Sequence, residues 1–433
     1  MKSLSRTTRR ELLTGTVRLA AGTWLFSHIG SLFAQDKTLP PDRFFIMLVA
    51  SGGAHSPLGL DGLLLNDLRR RKSDPIDTSD PDEFFSGYRD EELRKTPAGS
   101  FLGPAGRPLE AIINDVAIVN GIMMLPNDVG HGTNLEFMTN GSAKSRIAFP
   151  HQIDPYLAAA HYGTLSNRSL EGRGISTNGM RDGAPLTEYI RLFRAQAAVV
   201  PVKTDLQTAQ HSVVQTAEQF ARYKTLFQNY SGSVRQEWLA HAAAGFQTGL
   251  LNSAITTLDG ELDTHSQHLQ THPRALSAQF EEIATMVRFL KNTRYKETQF
   301  TLYDVTTFIY LTEFSRSAAR QGRDGTDHNP WDNSCLIGGC GIQGGQVVGA
   351  STVVPPSRTE NNRSILHALP FNHDTGKPLR YEEFSKYLAG EISGTVDYIF
   401  PKDVYQTLVT AMGLTGRPEG ALSGRTLKAL LKA

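Results

Sequence analysis

The residues with most chemistry to offer gather at five places in the chain. Three histidines and a carboxylate lie within one short stretch, Asp263-Thr264-His265-Ser266-Gln267-His268, with His272 just beyond. Imidazole nitrogens and a carboxylate oxygen are the donor types that zinc and manganese take. His265 and His268 share a face if the stretch is helical, and Asp263 joins them only through an irregular turn. The plain alternative is a set of exposed polar residues at the start of a helix. Glu313, followed by Phe314-Ser315-Arg316, comes directly after an apolar run. A carboxylate there is costly unless it is paired or bound to a cation, and Arg316 is the alternative partner. Asp327-His328, inside Gly325-Thr326-Asp327-His328-Asn329, adds a second carboxylate–histidine pair. The remaining candidates are His55 and Ser56 after Gly52-Gly53, and His131 and Thr133 in Asn127-Asp128-Val129-Gly130-His131-Gly132-Thr133. The glycines allow close backbone approach. A polar turn that opens a helix offers unpartnered N–H groups to an anion.

These groups need strand ends to hold them. Asp42–Ser51 is a short apolar run closed by glycines and reads as a buried strand. Asp115–Ile122, Thr306–Thr312 and Ser334–Gly339 read likewise. Between them, Pro273–Asn292 carries Leu276, Phe280, Ile283, Val287 and Leu290 on one helical face. Residues 208–258 and Pro401–Met412 also read as helical, and residues 62–105 as a charged surface excursion. Buried strands separated by amphipathic helices predict an α/β fold, a mostly parallel sheet with helices on both faces. Ligands in such sheets bind beyond the carboxyl ends of the strands, where the five groups above fall. The sequence shows no internal repeat, and we expect one domain over 35–433 with a helical insertion near 195–260.

The first 34 residues read as an address. Thr7-Thr8-Arg9-Arg10-Glu11-Leu12-Leu13 is the pattern of a twin-arginine signal peptide, followed by the apolar stretch Leu19–Ala34 before Gln35. That stretch is short for a membrane span. The expectation is export by the twin-arginine machinery to the periplasm or cell surface of a bacterium, with no stable membrane span after cleavage. Residues 1–34 hold five Lys/Arg and one Glu, so the rest carries 39 basic against 42 acidic residues. That balance gives no electrostatic footprint for nucleic acid. Cys335 and Cys340 are the only cysteines. A disulfide and two buried thiols both fit them. No GxGxxG follows a strand and no CxxCH occurs, which argues against a nucleotide-redox or haem protein.

Taken in order, the motifs resemble the exported bacterial family called domain of unknown function 1501, related to alkaline phosphatases and sulfatases. Asp263-Thr264-His265 resembles its Asp-Thr-His motif, and Glu313-Phe314-Ser315-Arg316 its Glu-Phe-Gly-Arg motif with Ser for Gly. Thr326-Asp327-His328 with the run Gly338–Gly349 resembles its Asp-His and Gly-rich segment, and Pro401–Leu414 its closing helix. The segment His151–Leu170 resembles a sister exported family.

The resemblance implies an alkaline-phosphatase-like fold and a divalent metal, zinc or manganese first, calcium or magnesium second. Its first metal site maps to Asp263, His265 (or His268) and His328, with Glu313 and Asp327 beside them. The second site is half missing: Glu313-Phe314 stands where an Asp-His pair is expected, and no Asp follows the first strand. The nucleophile position falls near Gly130-His131, with Thr133 offset. The implied activity is hydrolysis of a phosphate or sulfate ester. In that activity His131, Thr133 and His55 serve as catalytic candidates, and Gly52, Gly53 and Arg316 contact the anion. A small anionic ester or a surface polysaccharide is the implied partner. The competing expectation is a non-catalytic binding or assembly protein on the same fold.

Overall fold

The strongest strand, β1 (Phe44–Val49), is buried along its whole length. Its side chains alternate between two cores: Phe44, Ile46 and Leu48 enter one, Phe45, Met47 and Val49 the other. A strand with apolar residues on both faces must lie inside a covered sheet.

In the computed structural model, β1 sits in a sheet of eight strands. The others are β2 (Val116–Val119), β3 (Thr164–Ser166), β4 (Gly174–Ser176), β5 (Ser253–Thr257), β6 (Thr306–Leu311), β7 (Cys335–Gly339) and β8 (Val347–Val348). Their order across the sheet is β8-β2-β7-β6-β1-β5-β3-β4. All pairings are parallel except those of β7, which runs against both β2 and β6. The protein is therefore mixed α/β with a mostly parallel central sheet. The structure describes residues 42–71, 74–143, 145, 147–158, 160, 164–166, 174–176, 203–359, 362–414 and 424–432. The chain divides into a unit Met1–Asp42 and a unit Arg43–Ala433. The signal-peptide expectation for 1–34, and much of 151–202, lie outside the described residues.

The five longest helices among the described residues are α1 (His131–Asn140), α2 (Lys203–Ser231), α3 (Glu237–Thr248), α4 (His268–Asn292) and α5 (Pro401–Ala411). The α4 stripe Leu276, Phe280, Ile283, Val287 and Leu290 packs into the first core with the alanines of α3. Val404, Tyr405 and Leu408 of α5 pack into the second with Met138 of α1. Among the described residues, no helix is long and apolar enough to cross a membrane.

Three expectations are corrected. The helical reading of 208–258 fails at its end, because β5 pairs with β1 in the middle of the sheet. The helices of this region therefore end before Ser253. The hydroxyls of β5 hide its strand character: Ser253 Oγ and Thr164 Oγ1 satisfy each other at 2.8 Å inside the sheet. The excursion 62–105 is not merely surface, since Leu65, Leu68, Ile76, Phe84, Tyr88, Leu93 and Leu102 all enter the first core. Finally, α4 starts at His268 rather than Pro273, which stands inside it.

Cys335 and Cys340 are free and buried. Burial pushes both thiols up, so neither offers a thiolate nucleophile. A thiol reagent should find no reactive group in the native protein and two after unfolding in guanidinium. Two unreactive sulfurs in the unfolded, unreduced chain would contradict this.

Candidate metal centre

Five segments converge at one rim because of strand direction. β1, β5 and β6 are parallel, so Gly52, Asp263 and Glu313 follow them at the same end. β2 points the same way and leads to α1, which opens at His131. The reversed β7 means that the chain before it, including His328, arrives at this end too. A two-residue ladder pins the last segment: His328 pairs with Arg316 and Asn329 with Ser315, antiparallel. Thr326 N donates to Thr264 O at 3.1 Å, tying that loop to the Asp-Thr-His turn.

Asp263 lies at the centre. Its Oδ1 is 3.0 Å from His265 Nε2, 3.3 Å from His328 Nε2 and 2.8 Å from Arg316 Nη1. Its Oδ2 is 3.3 Å from His131 Nε2. His265 Nε2 and His328 Nε2 are 3.0 Å apart, and His265 Nδ1 lies 3.9 Å from Asp327 Oδ1. His131, Asp263 and His328, and also His265, Asp327 and His328, each present donor atoms within 4.8 Å of one another.

The backs of the rings are held. His328 Nδ1 donates to Val129 O at 2.7 Å, which turns Nε2 toward Asp263. His131 Nδ1 bonds Glu313 Oε1 at 2.7 Å. Glu313 is fully buried behind it, where Oε1 also accepts from Gly52 N at 2.6 Å and Oε2 from Thr312 Oγ1 at 3.1 Å. Fixing one imidazole nitrogen so that the other points at a cation is how metal sites orient their ligands. Tetrahedral zinc with bonds near 2.05 Å spaces its nitrogens by roughly 3.3 Å, close to the separations seen. The donor set therefore fits zinc or manganese.

Electrostatics agree. Partial burial pushes the Asp263 carboxyl up, but Arg316 and His131 outweigh it and hold the group below its ordinary value. The bond to Glu313 raises His131. Arg316 is wholly buried. It also donates from Nη1 to Gly52 O at 3.1 Å, from Nε to Thr326 Oγ1 at 3.1 Å, and from Nη2 to Thr326 O. Its fork is thus filled by the protein rather than turned toward an outside anion.

The other expected residues fall elsewhere. His268 does not share a face with His265: Gln267 takes a left-handed backbone, φ 51°, and the chain turns between them. The His268 ring packs against His55 and His272 in a buried pocket, where its Nδ1 meets Thr264 and Thr326 hydroxyls. Burial pushes His55 down to about 3, with the charge of Arg316 adding to it. Burial drives His268 and His272 down as well. These three rings lie together, and none of them is among the converging donors around Asp263. Thr133 is exposed on the third residue of α1, and Gly53 abuts the Phe314 ring. Sequence reasoning missed Thr264 and Thr326, which brace Arg316 and His268. The signal was available: each threonine sits beside a motif Asp.

Two glycines make the convergence sterically feasible. Gly52 has φ 106°, and a Cβ there would lie 2.2 Å from Asp263 N. At Gly325 a Cβ would lie 1.9 Å from His265 O. Gly52→Ala combines a disfavoured backbone angle with a backbone clash, so it should destabilise the fold by about 2–4 kcal/mol. A denaturation midpoint unchanged from wild type would refute this.

Residues 208–375 match the family model described as "Protein of unknown function (DUF1501)". The match supports the DUF1501 family and takes in Asp263, His265, Glu313, Arg316, Asp327 and His328, while Gly52 and His131 lie before it. No curated protein matches the chain.

Proposed function

We propose that this is an exported metal-binding protein of the alkaline phosphatase/sulfatase superfamily type, hydrolase-like toward phosphate or sulfate esters. One observation carries the reading: Asp263, His265 and His328, far apart in sequence, meet within hydrogen-bonding distances beside a helix start. The eight-stranded, mostly parallel sheet and its two helical faces support the alkaline-phosphatase-like fold. Asp263, His265 and His328 would hold the cation, with Asp327 in reach of His265. Such an ion, zinc or manganese by its donors, polarises an ester oxygen as a Lewis acid. His131 holds a proton more readily than an ordinary histidine, and its Nε2 faces the cluster, so it would donate that proton to the departing oxygen. Arg9-Arg10 and the stretch to Ala34 support export to the periplasm or cell surface.

A specific observation favours a second reading, a non-catalytic binding or assembly protein, for example one that holds surface polysaccharide. Phe314 packs against the rings of His131 and His328, with centroids 5.1 and 4.7 Å away. It fills the position where the superfamily pattern would put an imidazole for a second ion. Nitrophenyl phosphate and nitrophenyl sulfate distinguish the two. With zinc or manganese supplied, wild type should exceed His328→Ala by about 100-fold or more in kcat/KM, a transition-state difference of about 2.7 kcal/mol. Equal background rates would remove the hydrolase and leave the binding role.

A further inference from the structure

A different set of buried groups lies on the first-core side of the same rim. The β2–β7 register pairs Val119 with Cys335 and Ile118 with Leu336. Continued by one residue, it sets Asn120 opposite Ser334. Asn120 and Ser334 thus share the face of Ile118 and Leu336, and Asp332, two residues before Ser334, returns to that face. Asp332 is 0%, Asn120 1% and Ser334 5% exposed. Asn120 Nδ2 donates to Leu60 O at 3.2 Å, which lays its amide against the backbone just before the buried Asp61.

Four oxygens here have no hydrogen-bond donor among the described residues: both of Asp332, Asn120 Oδ1 and Ser334 Oγ. Ser56, Ser315 and the backbone N–H of Asn333 stand close enough to ease the Asp332 charge, but none completes a hydrogen bond to it. Ser56 Oγ donates to Ser315 Oγ at 3.0 Å, and Ser315 Oγ to Arg316 O at 3.4 Å. Asp61 Oδ2 accepts from Ser351 N and Oγ at 2.8 and 2.5 Å.

We propose that Asp61, Asp332, Asn120 and Ser334 form a buried, all-oxygen cation site of the calcium type, separate from the histidine-containing centre. Ionised carboxylates only accept, and two of them buried together are costly unless a cation lies between them. Burial pushes Asp332 up to about 8, with Asp61 adding to the rise, and Asp61 up to about 6. A nearby cation removes that cost. Calcium takes six to eight oxygens from carboxylate, amide and hydroxyl groups in flexible geometry. The absence of nitrogen or sulfur among these donors disfavours zinc.

The test uses the full chain carrying His265→Ala and His328→Ala, so that failure of the histidine centre cannot imitate failure here. After treatment with a calcium chelator, calcium chloride is titrated calorimetrically and bound metal is measured by mass spectrometry. The expected result is one calcium per chain and a rise in Tm on adding it. Asp332→Asn should lose both. Should that variant fail to fold, Asn120→Ala keeps both carboxylates and should weaken calcium binding by about 10-fold or more. Either of two results overturns the site: no calcium bound at millimolar concentration, or an Asp332→Asn chain that is more stable than its parent without calcium. The second would mean that the carboxyls share a proton instead.

Discussion

Replacing His328 with alanine should weaken zinc or manganese binding by more than the roughly 10–100-fold that loss of a supporting partner costs. His328 is common to both groups of converging donors, so its loss breaks both. Its ring is also the one whose orientation the backbone fixes, through Val129 O at 2.7 Å. Wild type at a metal concentration 100 times its Kd should gain about 2.7 kcal/mol of stability, and the variant almost none. Calorimetric titration with zinc and with manganese, alongside Tm with and without each ion, checks this. Equal gains in the two proteins would mean that the ions bind elsewhere, and the Asp263 cluster would then be an internal ion-pair network.

Arg316→Met should destabilise the fold by about 3–5 kcal/mol, the usual cost of removing one partner of a buried pair. The loss exceeds one ion pair. Gly52 O, Thr326 O and Thr326 Oγ1 all lose their donor, inside the protein. Arg316→Lys should recover little, because a single ammonium cannot span a fork that reaches three chain segments. Denaturant unfolding of the three proteins measures the effect. A lysine variant as stable as wild type would show that charge alone, without planar geometry, holds this corner.

These effects depend on placement that residue types do not encode. Phe44–Val49 and Thr306–Leu311 were legible as strands because burial on both faces demands unbroken apolar runs. β5, Ser253–Thr257, was not, because its hydroxyls find partners across the sheet and so need no apolar side chains. The Asp263–His265 and Asp327–His328 pairs were legible as cation donors by chemistry. Their meeting was not, since it follows from a two-residue ladder and from the reversal of β7. His55 and His268 show the converse case. Their types suggested chemistry, yet one left-handed residue at Gln267 sends His268 inward to pack against His55.

The contacts at Gly52 and Gly325 carry a consequence for how this centre could be re-engineered. At both, main chain presses against main chain, at Asp263 N and His265 O. The aperture between the donors is therefore gauged by peptide units, which cannot be trimmed as side chains can. Resizing it for a larger ion would require moving whole segments. Exchanging a donor atom, carboxylate for imidazole or the reverse, leaves that gauge untouched. Laboratory selection for a new ion should therefore settle on positions 263, 265 and 328 and leave both glycines unaltered.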